Sequence, residues 1–207
     1  MKMRHLCLLA AIGISSLSLA AQDVTKRKTW SFEDDSPGTA PKGFTPAVGD
    51  WKVVITTEGK VLEQSAKNAN SVFNIALVDD ISAKDVDISV KLKAIAGESD
   101  QGGGLVWRAK DAKNYYIARY NHKEDNFRVY KVVNGLRSQP LRNADITHHE
   151  GWTVVRVTMH GDHIECYIDG KKHLDVHDLT FSELGKIGVW SKADARSQFD
   201  DFTYSGN

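Results

Sequence analysis

The chain has 207 residues, of which 27 are basic and 27 are acidic, so its formal net charge at pH 7 is zero. A neutral chain has no general electrostatic attraction for nucleic acid or for anionic lipid, and nucleic acid is therefore not an expected partner. The length suits one domain with a sizeable hydrophobic core.

The amino-terminal residues have the features of a secretory signal. Lys2 and Arg4 supply positive charge, and residues 6–19 are mostly apolar. Ser18 and Ala20 are small residues at the two positions that a signal peptidase reads. The apolar run is too short, and too weakly flanked by charge, to be a membrane-spanning helix.

We therefore predict that residues 1–20 are a signal peptide, cleaved after Ala20 or alternatively after Ala21. Residues 21–207 then form a single domain that is periplasmic or secreted, with a small negative net charge and no transmembrane segment. Only Cys166 remains after cleavage, so no internal disulfide can form and the fold must depend on its core. We interpret Cys166 as a small buried apolar residue.

Most of the chain consists of short runs of β-branched and aromatic residues separated by turn residues. The predicted strands, in chain order, are residues 29–32, 51–57, 61–64, 72–78, 86–92, 104–109, 115–120, 127–133, 152–160, 163–168, 186–191 and 199–204. Asn134-Gly135, between two of these runs, is a strong hairpin signal. About a dozen short strands at this spacing predict an all-β fold, an antiparallel two-sheet β-sandwich.

The second half of the chain resembles a known superfamily. Residues 151–157 and 164–171, joined by a tight turn, are similar to the central hairpin of concanavalin A-like and laminin G-like jelly rolls. Residues 185–190 and 199–202 follow in the order that this superfamily uses. The resemblance implies a concanavalin-like jelly roll over residues 29–205.

A more specific resemblance lies upstream. Residues 103–108, Gly-Gly-Leu-Val-Trp-Arg, together with Asn114-Tyr115-Tyr116, are similar to the bacterial 3-keto-disaccharide hydrolase domain family. That family contains exported glycan-processing enzymes and proteins of unknown activity. The resemblance implies carbohydrate as the partner, and we expect the domain to act as a monomer.

One glycosidase mechanism found on this fold is excluded by the residues present. It requires three acidic residues on one strand, in the pattern Glu-x-Asp-x-(x)-Glu. The nearest sequence runs from Asp85 to Val90 and has Asp85 and Asp87 but no third carboxylate. Retaining hydrolysis needs two carboxyl groups about 5–5.5 Å apart. We therefore expect this strand to be structural.

Alternate residues of a strand point to opposite faces of a sheet, and this parity predicts a ligand-binding face. In the central strands, one set of alternate residues is apolar and suits the core. The other set includes arginines, which donate forked hydrogen bonds, and aromatic rings, on which a sugar can stack. The predicted binding residues are Arg108, Tyr115, Arg119, Asn121, Arg128, Tyr130, Trp190 and Lys192.

Two further groups of residues are candidates for chemistry. Glu33, Asp35 and Asp201 lie near the two ends of the domain, which adjoin in jelly rolls, and their hard oxygen ligands suit Ca²⁺. Calcium is thus the candidate ion. A catalytic role would fall to His148, His149 or Asp200, for proton transfer or metal binding.

Three functions remain open from the sequence. The first is an exported carbohydrate-associated domain that binds a glycan on one sheet face without chemistry of its own. The second is a glycan-processing enzyme of the 3-keto-disaccharide or glucoside hydrolase or lyase type. The third is a non-catalytic module for protein interaction or adhesion. The missing carboxylate pair favours the first.

Overall fold

A computed structural model describes residues 26–206, which form sixteen β-strands in two antiparallel sheets. Sheet A consists of β1 (Lys26–Trp30), β3 (Trp51–Thr56), β4 (Gly59–Gln64), β6 (Val86–Ala96), β12 (Thr153–His160), β13 (His163–Ile168), β14 (Lys171–His177) and β16 (Arg196–Gly206). Sheet B consists of β2 (Phe44–Val48), β5 (Phe73–Ala83), β7 (Gly102–Asp111), β8 (Asn114–Asn121), β9 (Asn126–Val133), β10 (Leu136–Arg137), β11 (Arg142–Asp145) and β15 (Gly185–Lys192).

In both sheets, several neighbouring strands are not consecutive in the chain. Sheet A runs β14-β13-β12-β6-β16-β4-β3, with β1 paired to β16. Sheet B runs β10-β9-β8-β7-β15-β5-β2, with β11 paired to β9. The predicted all-β, antiparallel two-sheet sandwich is confirmed.

The predicted signal peptide, residues 1–20, lies outside the described residues. Within residues 26–206, no helix has the length and apolar character needed to cross a membrane.

The core between the sheets follows from strand alternation. In β6, Ile88, Val90 and Leu92 are fully buried, while the intervening residues are partly exposed. The register of β6 with β12 sets Val155 opposite Val90, so that buried residues of neighbouring strands are in contact on one face. Each such aliphatic side chain stabilises the fold by about 1.5–3 kcal/mol when removed from water.

The hairpin predicted at Asn134-Gly135 is present between β9 and β10. Asn134 and Gly135 have φ angles of 52° and 82°, the left-handed conformations that a tight two-residue turn requires. The turn pairs Leu136 with Val133 and Arg137 with Val132. It therefore fixes the face of sheet B on which Arg137 lies.

Sheet B carries apolar residues on both of its faces. One face, with Trp107 and Tyr116, packs into the core between the sheets. The other, which we call the outer face of sheet B, holds a separate cluster: Ile75, Leu77, Val106, Ala109, Tyr115, Ile117, Tyr130, Val132 and Trp190. A face with this many aliphatic and aromatic residues outside the main core differs from an ordinary solvated sheet surface.

Candidate functional site

The outer face of sheet B gathers most of the residues that strand parity selects. Register places Arg119 on β8 opposite Arg128 on β9, and Tyr130 opposite Ile117. Trp190 on β15 is separated from Arg119 only by Gly104 of β7, which has no side chain. Seven of the eight predicted binding residues thus lie on this face: Tyr115, Arg119, Asn121, Arg128, Tyr130, Trp190 and Lys192.

Arg119 is the centre of a buried polar network on this face. Its Nη2 donates to Glu124 Oε2 at 2.9 Å and to Asn126 Oδ1 at 2.7 Å. Glu124 also accepts from Arg128 Nη1 at 3.2 Å. The Arg119 guanidinium, with help from Asn126 and Arg128, lowers the pKa of Glu124 to about 2. Glu124 is therefore ionised at neutral pH and serves to position the two arginines.

A second polar contact set surrounds Asp100, which is buried. Asn121 Nδ2 donates to Asp100 Oδ1 at 2.6 Å, and Lys192 Nζ donates to Asp100 Oδ2 at 3.1 Å. Lys192 Nζ also donates to Asn70. These bonds hold Asn121 and Lys192 in place and occupy part of their donor capacity. The two residues support the site more than they present free groups to a ligand.

The aromatic residues of the outer face are in contact with one another and with an arginine. Trp190 Nε1 donates to Tyr115 Oη at 3.3 Å, and the ring of Phe73 lies 5.5 Å from that of Trp190. The Arg137 guanidinium stacks 4.4 Å from the ring centroid of Tyr130 and 5.6 Å from that of Phe73. The rings of Tyr115, Tyr130 and Trp190 are buried in this cluster, and the Arg137 guanidinium stacks on that of Tyr130.

A hollow of about 430 Å³ opens at this stacked pair. It is lined by Arg128, Tyr130, Arg137, Ser138, Gln139, Pro140 and Asn143. Arg137 Nη1 is buried and has no hydrogen-bond partner among the described residues. Arg128 Nε donates to Asn143 Oδ1 at 2.7 Å, which aligns it along one wall. The hollow is therefore lined by one aromatic residue, two arginines and several smaller polar side chains.

Sequence reasoning missed Phe73 and Arg137. The signal for Arg137 was available, since a two-residue turn at Asn134-Gly135 sets Arg137 opposite Val132, which shares the parity of Tyr130. Phe73 was harder to assign, because both parities of β5 are largely apolar and neither marks the outer face.

The expectation that Arg108 shares this face is wrong. A bulge in β7 gives Arg108 a φ of 45° and shifts the parity, so that Ala109 joins Val106 on the outer face. The Arg108 guanidinium instead donates to three backbone carbonyl oxygens: those of Lys84 at 2.6 Å, Gly161 at 2.6 Å and Phe181 at 2.8 Å. Arg108 is fully buried and ties together three chain connections, and burial lowers its pKa.

The candidate catalytic residues occupy two separate places. His148 and His149 line a hollow of about 360 Å³ together with His122 and Asp125. Asp125 Oδ1 bonds His148 Nδ1 at 2.6 Å. Burial, with the adjacent charges of His148 and His149, lowers the pKa of His122 to about 4. Asp200 does not line this hollow; it lies on β16 of sheet A, where burial raises its pKa.

The three acids predicted to hold calcium each have a separate partner. Glu33 Oε1 accepts from the Lys60 amide, Asp35 Oδ1 accepts from the Lys42 amide, and Asp201 Oδ2 pairs with Lys91 Nζ at 2.6 Å. The expected convergence of Glu33, Asp35 and Asp201 is not seen, because they do not form a close ligand group in residues 26–206. Calcium binding itself stays a prediction.

The acids of the excluded glycosidase pattern also have structural partners. Asp87 accepts from Arg156 Nε at 2.7 Å and from Nη2 at 2.8 Å. Asp85 Oδ1 accepts from the Gly161 amide at 2.9 Å. These contacts agree with a structural role for the strand.

Comparison with known proteins gives a related sequence and several related folds. No family model matches the chain. A levanase of Bacillus subtilis (strain 168) is 29% identical over 174 residues, which is 80% of this chain and 24% of the levanase. The chain thus spans about a quarter of that relative's length. The specific likeness to 3-keto-disaccharide hydrolases stays a prediction.

Two solved structures illustrate the fold. The carbohydrate binding module CBM66 from Bacillus subtilis superposes with a TM-score of 0.68 at 26% identity, covering 79% of this chain and 96% of that one. The β-glucanase of Bacillus licheniformis superposes with a TM-score of 0.61 at 12% identity, covering 89% and 100%. The second likeness concerns the fold alone. The chain has the jelly-roll sandwich fold that these proteins share.

Proposed function

We propose that this chain is an exported carbohydrate-binding domain that holds a glycan on the outer face of sheet B. The observation that carries the proposal is the hollow at Tyr130 and Arg137, where two guanidinium groups lie beside polar side chains and an aromatic residue. Sugar rings bind by stacking a C–H face on an aromatic ring while their hydroxyls accept and donate hydrogen bonds. The hollow offers the hydrogen-bonding groups, and the buried ring of Tyr130 holds the Arg137 guanidinium by stacking.

The likenesses support the same function. The module CBM66 is named for carbohydrate binding, and a levanase is named for its action on levan. This chain matches nearly the whole of the module but only 24% of the levanase, so the matched part is about the size of one domain. We infer that levan is the first polysaccharide to test. Export by the predicted signal peptide would place the domain where such polymers occur.

Binding is favoured over hydrolysis by the state of Glu124, the carboxylate that contacts Arg128 of the hollow. Glu124 has a pKa of about 2 and lies between Arg119 and Arg128, so it cannot deliver a proton at neutral pH. General acid catalysis on a glycosidic oxygen needs a carboxyl group whose pKa is raised toward neutrality. The described residues of the hollow include no such group.

The proposal is tested by isothermal titration of the protein with levan and with short oligosaccharides cut from it. Tyr130→Ala and Arg137→Ala should each weaken binding by about ten-fold or more, because each removes one wall of the hollow. No release of reducing sugar should accompany binding.

Sheet A supplies a matched control. Arg156 stacks 4.9 Å from the ring of Tyr167, a similar arginine–tyrosine pair on the opposite side of the sandwich. Tyr167→Ala and Arg156→Ala should leave the affinity at the wild-type value. Equal losses from both pairs, or no loss from Tyr130→Ala and Arg137→Ala, would remove the outer face of sheet B as the binding site.

A further inference from the structure

A cluster of metal-ligating side chains lies at the edge of sheet A, whereas the proposed glycan site is on sheet B. In residues 26–206, His163, Asp175 and His177 are the one group of three whose ligand atoms all lie within 4.8 Å of one another. His163 is on β13, and Asp175 and His177 are on β14, the outermost strand of the sheet. All three side chains are at least 39% exposed, so an ion can reach them.

The backbone brings the ligands together without strain. His163 and His177 are directly opposed partners in the β13–β14 register. Their rings are stacked with centroids 4.5 Å apart and planes inclined by 7°. Asp175 precedes His177 by two residues and therefore projects from the same face of β14. Its Oδ1 lies 2.9 Å from His163 Nε2.

We infer that His163, His177 and Asp175 form a binding site for a divalent transition-metal ion, with Zn²⁺ as the natural occupant. Two imidazole nitrogens and one carboxylate oxygen are a ligand set that suits zinc, whereas calcium takes oxygen ligands alone. Asp162 Oδ1 lies 3.3 Å from His177 Nδ1 and is placed to become a fourth ligand.

The ligands must close on the ion by a small rotation. Tetrahedral zinc with bonds of about 2.1 Å keeps its ligand atoms about 3.4 Å apart. The present spacing of up to 4.8 Å is wider. Exposed histidines on paired strands can make up this difference through χ1 and χ2 adjustments, because they are not packed in the core.

A lysine competes with the ion in the present arrangement. Lys172 Nζ contacts Asp175 Oδ2 at 2.8 Å and Glu165 Oε1 at 2.7 Å. When an ion binds Asp175, the Lys172 ammonium still pairs with Glu165, so it is not left without a partner.

The test is titration of the untagged protein with ZnCl₂ by isothermal calorimetry at pH 7.5. One ion should bind per chain, and His163→Ala and His177→Ala should each lower the affinity by at least about ten-fold. Lys172→Gln should raise the affinity, since it removes the competing ammonium. His160→Ala, at an exposed histidine that pairs with Asp85 and lies outside the ligand group, should leave the affinity at the wild-type value.

A second measurement checks that the variants keep their fold and that the ion acts on this hairpin. Zinc should raise the unfolding temperature of the wild type but not of His163→Ala or His177→Ala. Absence of binding at millimolar zinc would overturn the inference. So would wild-type affinity in both histidine variants, or an unchanged affinity in Lys172→Gln, which would show that Asp175 is not a ligand.

Discussion

The guanidinium of Arg137 lies 4.4 Å from the ring centroid of Tyr130, and its Nη1 is buried without a hydrogen-bond partner in the described chain. A buried donor that is left unpaired costs about 1–3 kcal/mol. Stacking of the guanidinium on the Tyr130 ring offsets about 0.5–2 kcal/mol of this cost. The stacked pair is therefore the element that fixes Arg137 at the wall of the hollow.

The first prediction separates the planar donor of Arg137 from its charge. Arg137→Lys keeps the charge but loses the flat guanidinium that stacks on Tyr130, and Arg137→Met loses both. We expect both variants to lose glycan affinity by a similar factor of about ten, with stability reduced by about 1 kcal/mol or less. Calorimetric titration with the glycan that the wild type binds measures the effect. Full affinity in Arg137→Lys would show that charge alone matters.

The second prediction concerns Arg108, whose guanidinium satisfies the carbonyl oxygens of Lys84, Gly161 and Phe181. Arg108→Ala leaves these acceptors unpaired and opens a cavity where a fully buried side chain stood. We expect a loss of about 3–5 kcal/mol in the free energy of unfolding. Urea denaturation followed by tryptophan fluorescence measures this loss.

Arg128→Ala is the control for Arg108→Ala. Its side chain is 30% exposed and bonds Glu124 and Asn143, so its removal should cost about 1 kcal/mol or less. The glycan affinities should show the reverse pattern. Arg128→Ala should bind the glycan more weakly, whereas the folded fraction of Arg108→Ala should keep the wild-type affinity. If Arg108→Ala were stable but did not bind the glycan, Arg108 would be a binding residue after all.

The third prediction follows from His122, whose pKa is lowered to about 4 from 6.5, mainly by burial. Between these two values the unfolded chain binds a proton that the folded chain does not. Stability therefore falls as the pH is lowered from 6.5 to 4, by about 1–3 kcal/mol from this residue. His122→Gln should flatten the pH dependence in that window. Urea unfolding at half-unit pH steps gives the comparison.

An NMR titration of the His122 ring protons gives an independent check. The midpoint should lie near pH 4, well below the ordinary value for histidine. A midpoint near 6.5, or equal pH slopes in the wild type and His122→Gln, would contradict the burial of a neutral imidazole.

The fold could be predicted because its determinants are local. Alternation in residues 86–92 sets the core face of β6, and Asn134-Gly135 sets the β9–β10 turn. Strand parity also brought Tyr115, Arg119 and Tyr130 to one face, since β8 and β9 are regular throughout. Regular strands allow a residue's face to be counted along the sequence.

The errors have two physical causes. The face predicted for Arg108 was wrong because a bulge inserts residues between the pairs Trp107–Tyr116 and Asp111–Asn114. Nothing in the local sequence marks this bulge. The pairing of His163 with His177 could not be anticipated, because the β13–β14 ladder has its own bulge after Cys166. Residues beyond a bulge change face, and only the folded chain shows where this occurs.

The last prediction uses the turn that carries Arg137. Gly135 has a φ of 82°, and a Cβ there would meet only the side chain of Lys113 at 3.8 Å, so Gly135→Ala adds backbone strain without a clash. Gly170 has a φ of 79° and open space around it, in the β13–β14 turn of sheet A. Each alanine should cost about 1–2 kcal/mol of stability. Only Gly135→Ala should also weaken glycan binding, because it loosens the register that sets Arg137 opposite Val132. Equal affinities in the two variants, measured by calorimetry, would show that this register does not position the binding residue.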